Sequence, residues 1–504
     1  LVPGRQRDVT SIIIFFIEDL RNRRSSPLVA VRLPHPQPSK RQTMKVAMIG
    51  AGYVGLTTGA CLAQLGHKVV GVDIDAKRIE GLCRRQLPIY EPGLDKVLRE
   101  QMEKGRLRFS SDVAASVADA DAIFLAVGTP SGPSGDIDLS FVQQAAIQIA
   151  PAIKPNAVVV LKSTVVVGTC KRVREVVAER RGGLDFSVAS NPEFLREGSA
   201  IEDFVCPDRI VVGADDRRAA RLMERLYAPL RRKGVPFIQT STANAELIKY
   251  AANAFLALKV GFINDVANLC EAAGGDVTVV ARGIGLDRRI GTAFLAAGPG
   301  YGGSCFPKDT RAFAATGRKF GAPQALVETL IERNQERKRA LARRILKDLP
   351  GKPAGKRVAV LGVAFKADTD DVRESAALTI IPMLQDAGVA VQVHDPRARR
   401  SADRALGDAE WHDTPYAAAE GAEAVVILTD WAEYGTLDLR RLAAAMAGRT
   451  IFDYRNVLPP HAPERHGLRC IGLGRAENHP VGESGIRIEA APVSRRTAAS
   501  PSPA

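Results

Sequence analysis

Residues 45–73 read KVAMIGAGYVGLTTGACLAQLGHKVVGVD, and this stretch decides the fold. The apolar run Lys45–Ile49 reads as a buried strand. Gly50-Ala51-Gly52-Tyr53-Val54-Gly55 then turns the chain into a helix. A second apolar run, Lys68–Val72, gives the next strand, and Asp73 stands at its carboxyl end. Each glycine has its own reason: Gly50 permits a tight turn, Gly52 lets backbone approach a pyrophosphate, and Gly55 lets the helix pack closely on the strand. The helix N-terminus receives the phosphate charge. The glycine motif alone is weak, but strand, turn, helix and acid-ended second strand in this order predict a dinucleotide site. Asp73 can accept both ribose hydroxyls, and its charge opposes a 2′-phosphate, so the predicted cofactor is NAD rather than NADP. Arg78 lies near, where stacking on adenine and a solvated surface position are both open.

Outward from this unit the pattern continues. Apolar runs at Ala122–Val127, Ala157–Leu161, Phe186–Ala189 and Arg209–Val212 read as further buried parallel strands separated by helices. The loop Val127-Gly128-Thr129-Pro130 and the loop Lys162-Ser163-Thr164 each follow a strand, so both point to the cofactor region beyond the strands' carboxyl ends. From Ala243 to Ala273 runs one long helical pattern, interrupted only by Gly261, of the kind that spans a domain boundary or a dimer interface. Leu349–Gly355 reads as a linker. A second α/β unit follows, with strands at Arg357–Leu361, Val389–Val393, Ala424–Leu428 and Thr450–Phe452, and with Leu361-Gly362-Val363-Ala364 in place of the glycine motif. The expected fold class is α/β: two Rossmann-like, doubly wound domains joined by a long central helix. The boundaries read as an extension at 1–43, a cofactor domain at 44–242, a helical region at 243–348, a second α/β domain at 356–475 and a tail at 479–504. Both ends are rich in Pro and Ser and read as disordered, and Met44 reads as the natural start.

Composition narrows the function. The 504 residues suit two or three domains, and an apolar content of 46% supports substantial cores. Seven scattered cysteines without a CxxC pair fit free thiols in a reducing compartment and argue against a disulfide framework or a zinc cluster. The formal charge of +14 lies partly in the end segments, with no long Lys/Arg run, so a nucleic-acid partner is not expected. No stretch approaches the ~20 apolar residues of a membrane-spanning helix. A cytoplasmic enzyme without a membrane partner is the expectation.

Three segments place reactive side chains four apart. Glu193 and Glu197 share one face if Asn191–Gly198 is helical, and so do Lys249 and Asn253, and Cys305 and Asp309. Glutamate pairs and Lys/Asn pairs at this spacing are usually solvated, and a lone cysteine is usually a small buried hydrophobe. Cys305 departs from that pattern, because glycines, Lys308 and Asp309 surround it. It can sit at a helix start, where the dipole lowers a thiol pKa.

Taken together, GAGYVG, VGTPS, KSTVVVGT, NPEFLREGSA, ELIKYAANAFLALKVGFIN, GPGYGGSCFPKDT, GVAFKADTDDVRES, HDP and DYRN resemble the UDP-glucose/GDP-mannose dehydrogenase family, from about Met44 to about residue 475. The resemblance implies an N-terminal NAD domain, a central helix forming a homodimer core or a higher assembly, and a C-terminal UDP-binding domain. It implies that Cys305 is a nucleophile, that Lys249 and Asn253 surround the reacting oxygen, that Asp309 and Thr164 position a water, and that Glu193 and Glu197 complete the acid–base set. It further implies cofactor contacts by Tyr53, Val54, Thr129, Thr164, Glu197, Lys308 and Arg373. Sugar-nucleotide contacts fall to Glu193, Phe194, Leu195, Arg196 and Lys366, and to the loop Phe294–Ser304 with Tyr301, Gly302 and Gly303. Lys259 matches a basic residue that reaches a neighbouring subunit's substrate. The implied reaction is a two-step oxidation of a primary alcohol to a carboxylate, with UDP-glucose as the substrate. Lys249 or a water held by Asp309 takes the first proton.

Phe306 favours UDP-glucose over GDP-mannose, whose dehydrogenases tend to carry Leu there. Ser304 stands where UDP-N-acetylmannosamine dehydrogenases carry His. An inactive NAD-binding sensor is the reading from another class, and the intact Cys305, Lys249, Asn253 and Asp309 set argues against it. Val166, Ala367 and Ala376 replace prolines of the family pattern, and Gly261 and Asp265 stand where Ser and Glu are common. None of these positions carries a reacting group, although Val166 lies in the loop of Thr164.

The cofactor reading is open to test. Asp73→Ser removes both the ribose acceptor and the opposing charge. It should weaken NAD binding and narrow the NAD/NADP preference in steady-state kinetics, whereas an unchanged preference would mean that Asp73 does not meet the ribose.

Overall fold

A computed structural model describes residues 43–475 except 133, 134 and 184. The expectations for 1–43, Thr43 aside, and for 479–504 lie outside the described residues.

The first sheet has eight strands: β1 (Lys45–Ile49), β2 (Lys68–Val72), β3 (Leu107–Ser110), β4 (Ala122–Leu125), β5 (Val158–Leu161), β6 (Ser187–Ser190), β7 (Ile210–Ala214) and β8 (Phe237–Thr240). Their order is β3-β2-β1-β4-β5-β6-β7-β8, so the chain reverses direction across the sheet between β1 and β4. Alternation along the strands decides the layering. Val46 and Met48 of β1 enter one hydrophobic cluster, and Ala47 and Ile49 enter the other. Both faces are therefore covered by helices, as a doubly wound sheet requires.

The parallel expectation fails at one point: β7 runs antiparallel to β6, and β8 follows β7 in parallel. Residues 191–209 hold only the short helix Ala200–Val205 and otherwise irregular chain. They do not form the full helical crossover that a parallel return needs. The edge strands β3 and β8 escaped the sequence reading because each is four residues long, partly polar and half-exposed.

The second sheet is wholly parallel, in the order β11-β10-β9-β12-β13-β14. Its strands are β9 (Arg357–Leu361), β10 (Ala390–His394), β11 (Glu410–Trp411), β12 (Ala424–Ile427), β13 (Thr450–Asp453) and β14 (Arg469–Gly472). The central helix, Thr242–Ala273, has 32 residues and is about 48 Å long. The Ser241 hydroxyl caps its start by accepting from Asn244 N, and Gly274 ends it in the left-handed region. It packs against the helices Phe306–Lys319 and Ala325–Asp348.

The two sheets use their central turns differently. In the second, Asp395 follows β10 as Asp73 follows β2. Its carboxylate accepts from Val363 N at 2.7 Å, Ala364 N at 3.0 Å, Trp431 Nε1 at 3.2 Å, Arg397 N at 2.9 Å and Ala398 N at 2.8 Å. The turn donors that would meet a phosphate are thus consumed by the protein. Asp395 is buried, so Asp395→Ala strands several donors without water. It should cost about 3 kcal/mol of stability, read as a lower urea midpoint; an unchanged midpoint would show that water replaces the carboxylate.

Candidate active site

The cofactor turn closes the end of β1. Gly50 has φ +103°, and a Cβ there would lie 2.5 Å from Ala126 O; one on Gly55 would lie 1.9 Å from Gly50 O. Fold packing alone therefore demands both glycines. Gly52 differs, since a Cβ there meets nothing within 4 Å. It lies at the N-cap of helix Tyr53–Gln64, which has no side-chain cap. That open cradle of uncapped N–H groups fits a pyrophosphate. Asp73 accepts from Ala51 N at 2.8 Å and pairs with Arg78 at 3.1 Å, and Arg78 stays on the exposed surface while so paired. These residues fit NAD. Tyr53 and Val54 occupy the first turn of the helix, and the Tyr53 hydroxyl donates to Glu91 at 2.5 Å. Thr129 and Thr164 are half-buried on the loops after β4 and β5. Ser163 joins those loops by donating to Val127 O at 2.6 Å. Glu246 of the central helix accepts from Gly168 N and Cys170 N at 2.8 and 2.9 Å, fixing the far end of the Thr164 loop.

Beside this region lies a cavity of about 700 Å³. Its wall includes Lys249, Asn253, Cys305, Glu197 and Lys366, with Phe194, Leu195, Arg196, Phe294, Gly302, Gly303 and Ser304. Cys305 caps the helix Phe306–Lys319. Its thiol is nevertheless pushed up to about 11, first by burial and then by Glu193, with Lys249 pulling the other way. The expected lowering at the helix start is therefore reversed, because desolvation and the carboxylates Glu193 and Asp309 outweigh the dipole.

Asn191–Arg196 is not helical, and Glu197 lies in a turn, so Glu193 and Glu197 do not share a helix face. They part, Glu193 to Lys249 and Glu197 to Ser304. Glu193 forms a buried ion pair with Lys249 at 3.0 Å and also accepts from Leu195 N at 2.5 Å. Burial works against the Lys249 ammonium, yet Glu193, Cys305 and Asp309 outweigh it and hold its pKa above the ordinary lysine value. Burial likewise opposes the Glu193 carboxylate, but Lys249 and the Leu195 N–H hold its pKa below the ordinary value. Glu197 accepts from Ser304 Oγ at 3.2 Å and Thr369 Oγ1 at 3.1 Å, and it faces Arg373 at 3.6 Å. Burial and then Asp371 raise it to about 7. Lys366 donates to the Glu197 carbonyl at 2.5 Å.

One helical turn beyond Lys249, Asn253 donates to Asp309 at 2.6 Å, and Lys308 meets the other Asp309 oxygen at 2.5 Å. Asp309 is fully buried beneath the cavity, and neither it nor Thr164 lines the wall. Glu193, Tyr301 and Lys259 also lie outside the lining. Tyr301 is clamped through its N and O by Asn334 at 2.9 and 3.1 Å. Lys259 donates to Ile290 O at 3.0 Å within its own chain.

The glycine loop before Cys305 is held by packing rather than loose. A Cβ on Gly302 would meet Glu374 O at 2.4 Å, and one on Gly303 would meet the Phe365 ring at 2.7 Å. Sequence reasoning passed over Glu91, which also accepts from Gly198 N and Ala200 N, both at 2.7 Å. It passed over Arg209, stacked 3.8 Å from the Phe194 ring centre. It passed over Lys162, buried beside Glu193 and lowered to about 8 by burial. Only Glu246 carried a signal, as it stands three residues before Lys249 on the same helix face.

Comparisons with known proteins agree with this geometry. Family models for the UDP-glucose/GDP-mannose dehydrogenase NAD-binding, central and UDP-binding domains match residues 44–231, 243–336 and 359–460. A UDP-glucose 6-dehydrogenase of Rhizobium meliloti is 47% identical, covering 86% of this chain and 100% of its own. That of Pseudomonas aeruginosa is 42% identical, covering 86% and 98%. A UDP-glucose dehydrogenase structure from Pyrobaculum islandicum superposes with a TM-score of 0.81 at 40% identity, covering 88% of this chain and all of that one. Among the described residues no helix is long and apolar enough to cross a membrane. The glycine cradle with its acid-ended second strand, the cysteine-bearing cavity and these matches together mean that the chain belongs to the UDP-glucose/GDP-mannose dehydrogenase family and is an NAD-dependent dehydrogenase.

Proposed function

We propose that this enzyme oxidises UDP-glucose to UDP-glucuronate in two steps through a covalent bond to Cys305. The observation that carries the reading is a cysteine in the wall of a cavity whose other polar wall residues include a buried, charged lysine and an asparagine one helical turn away. A single alcohol oxidation needs no nucleophile. A cysteine is required when an aldehyde must be captured and oxidised again.

NAD, when bound, accepts a hydride in each of the two oxidations. Lys249, kept as an ammonium by Glu193, cannot take the hydroxyl proton of the first oxidation, so that proton goes to the water held by Asp309, while Lys249 and the Asn253 amide stabilise negative charge on the sugar oxygen. The Cys305 sulfur adds to the C6 aldehyde and gives a thiohemiacetal. The second oxidation leaves a thioester, and water hydrolyses it to the carboxylate and frees the thiol. Asp309 orients Asn253 from below. We assign 44–242 to the cofactor, 356–475 to the UDP end, and Lys366 to the substrate side.

We also infer a homodimer through the central helix. Phe255, Phe262 and Leu269 recur every seven residues and are 63%, 57% and 66% exposed. Such a stripe marks an interface. Phe255 lines the cavity, so a second copy covers its open side. Phe262→Glu should yield a monomer in sedimentation velocity; an unchanged assembly would exclude this face.

Stoichiometry tests the chemistry. The wild type should release two NADH per UDP-glucose, with no free aldehyde and with GDP-mannose a poor substrate. Cys305→Ala should keep its fold and NAD binding and show at most slow single-hydride chemistry. Lys249→Ala should slow the first oxidation by roughly 10²–10³-fold. One NADH per UDP-glucose, or a Cys305→Ala enzyme making glucuronate at the normal rate, would sink the covalent reading.

A further inference from the structure

The Cys305 thiol has to lose a proton to become a nucleophile, and its surroundings resist that loss. Glu193 and Asp309 oppose a negative sulfur, and of the cations that favour it Lys249 is already paired with Glu193 and Arg373 with Asp371. One neighbour offers a way out. The Ser304 hydroxyl lies 3.5 Å from Cys305 Sγ and 3.2 Å from Glu197 Oε1, so the three groups form a chain across the wall of the cavity.

We propose that Ser304 relays the proton of Cys305 to the carboxylate of Glu197. This deepens the reading above and rests on it. As sulfur bonds to the aldehyde carbon, the S–H proton passes to Ser304 Oγ, and the Ser304 proton passes to Glu197 Oε1. The C=O pair becomes the alkoxide that Lys249 faces. When the thioester is hydrolysed, sulfur departs as thiolate and recovers its proton along the same path. No electrons are exchanged in either transfer.

The architecture holds this chain in place. Thr369 holds the second oxygen of Glu197, and Lys366 holds its backbone carbonyl. Ser304 is fixed from the same segment, because Gly303 N donates to Arg373 O at 2.8 Å and Gly303 packs flat on Phe365. Residues 365–373 thus position both the relay and its acceptor. The charged groups facing Glu197 are Asp371, which opposes its ionisation, and Arg373 and Lys366, which favour it. Those facing Cys305 are Glu193 and Asp309, which oppose its ionisation, and Lys249 and Arg373, which favour it. With an acceptor near 7 and a donor near 11, the thiolate is not formed in advance; general-base help in the transition state is what the chain supplies.

The test isolates the cysteine-dependent half by starting from the C6 aldehyde of the UDP-sugar with NAD, and measures rate against pH in H2O and D2O. In the wild type the rate should rise to a plateau through an apparent pKa near that of Glu197 and show a normal solvent isotope effect. Ser304→Ala should lower the rate at neutral pH by about a hundredfold or more. Its plateau should give way to a continued rise toward high pH, as the rate follows free thiolate. Ser304→Thr, which keeps the hydroxyl, should restore the plateau, and a purely structural serine would not give that rescue. Glu197→Gln should abolish the acid limb. A Ser304→Ala enzyme with the wild-type rate, pH profile and isotope effect would overturn the relay. Loss of the covalent reading itself would be seen separately, as a Cys305→Ala enzyme that still oxidises the aldehyde.

Discussion

The site depends on one buried ion pair. Lys249 and Glu193 meet at 3.0 Å with side chains only 4% and 5% exposed. Neither charge tolerates burial without the other, since an unpaired charge at such depth is strongly destabilising. The pair therefore fixes the path of residues 191–198 against the central helix. It also explains why that segment is irregular. A helix over Asn191–Gly198 would carry Glu197 to the same face as Glu193 and bring a second carboxylate to one lysine. The chain instead sends Glu197 to Ser304 and Thr369.

The central helix acts as a common rack. Glu246, Lys249 and Asn253 stand at i, i+3 and i+7 of one face. They grip, in turn, the loop of Thr164, the segment of Glu193 and the helix of Cys305. Three elements far apart in sequence are thereby referred to one rigid body. The glycines Gly302 and Gly303 add a second reference by packing against Glu374 and Phe365 of the other α/β domain. Residues from both domains therefore meet at Ser304 and Cys305.

Much of this was legible in the sequence, because periodicity and turn chemistry are local. β1, β2, the glycine turn and the central helix follow from apolar runs, glycine positions and capping residues, and Asp73 follows from its place after β2. What could not be read depends on long-range contact. The antiparallel β7 has the same apolar run as a parallel strand, and only its neighbour defines its direction. The helical spacing of Glu193 and Glu197 was real in sequence but overridden by pairing with Lys249. The thiol of Cys305 followed its neighbours' charge rather than its place at a helix start. Glu91 and Lys162 became visible only once folding brought Gly198, Ala200 and Asn191 to them.

A raised thiol pKa suits the proposed sequence of two different oxidations in one cavity. A permanent thiolate beside Glu193 and Asp309 would add a third negative charge around Lys249. It would also compete with the sugar oxygen for that lysine during the first oxidation. Keeping Cys305 neutral leaves the ammonium free to meet the developing alkoxide. In the proposed sequence the sulfur gives up its proton only as an aldehyde carbon takes its electron pair. The same carboxylates that resist early ionisation then favour neutral, carbon-bound sulfur over free thiolate. The ordering of the two proposed steps can thus be built from the electrostatics of Glu193, Asp309 and Cys305 around one buried lysine, with no movement of the rack that carries them.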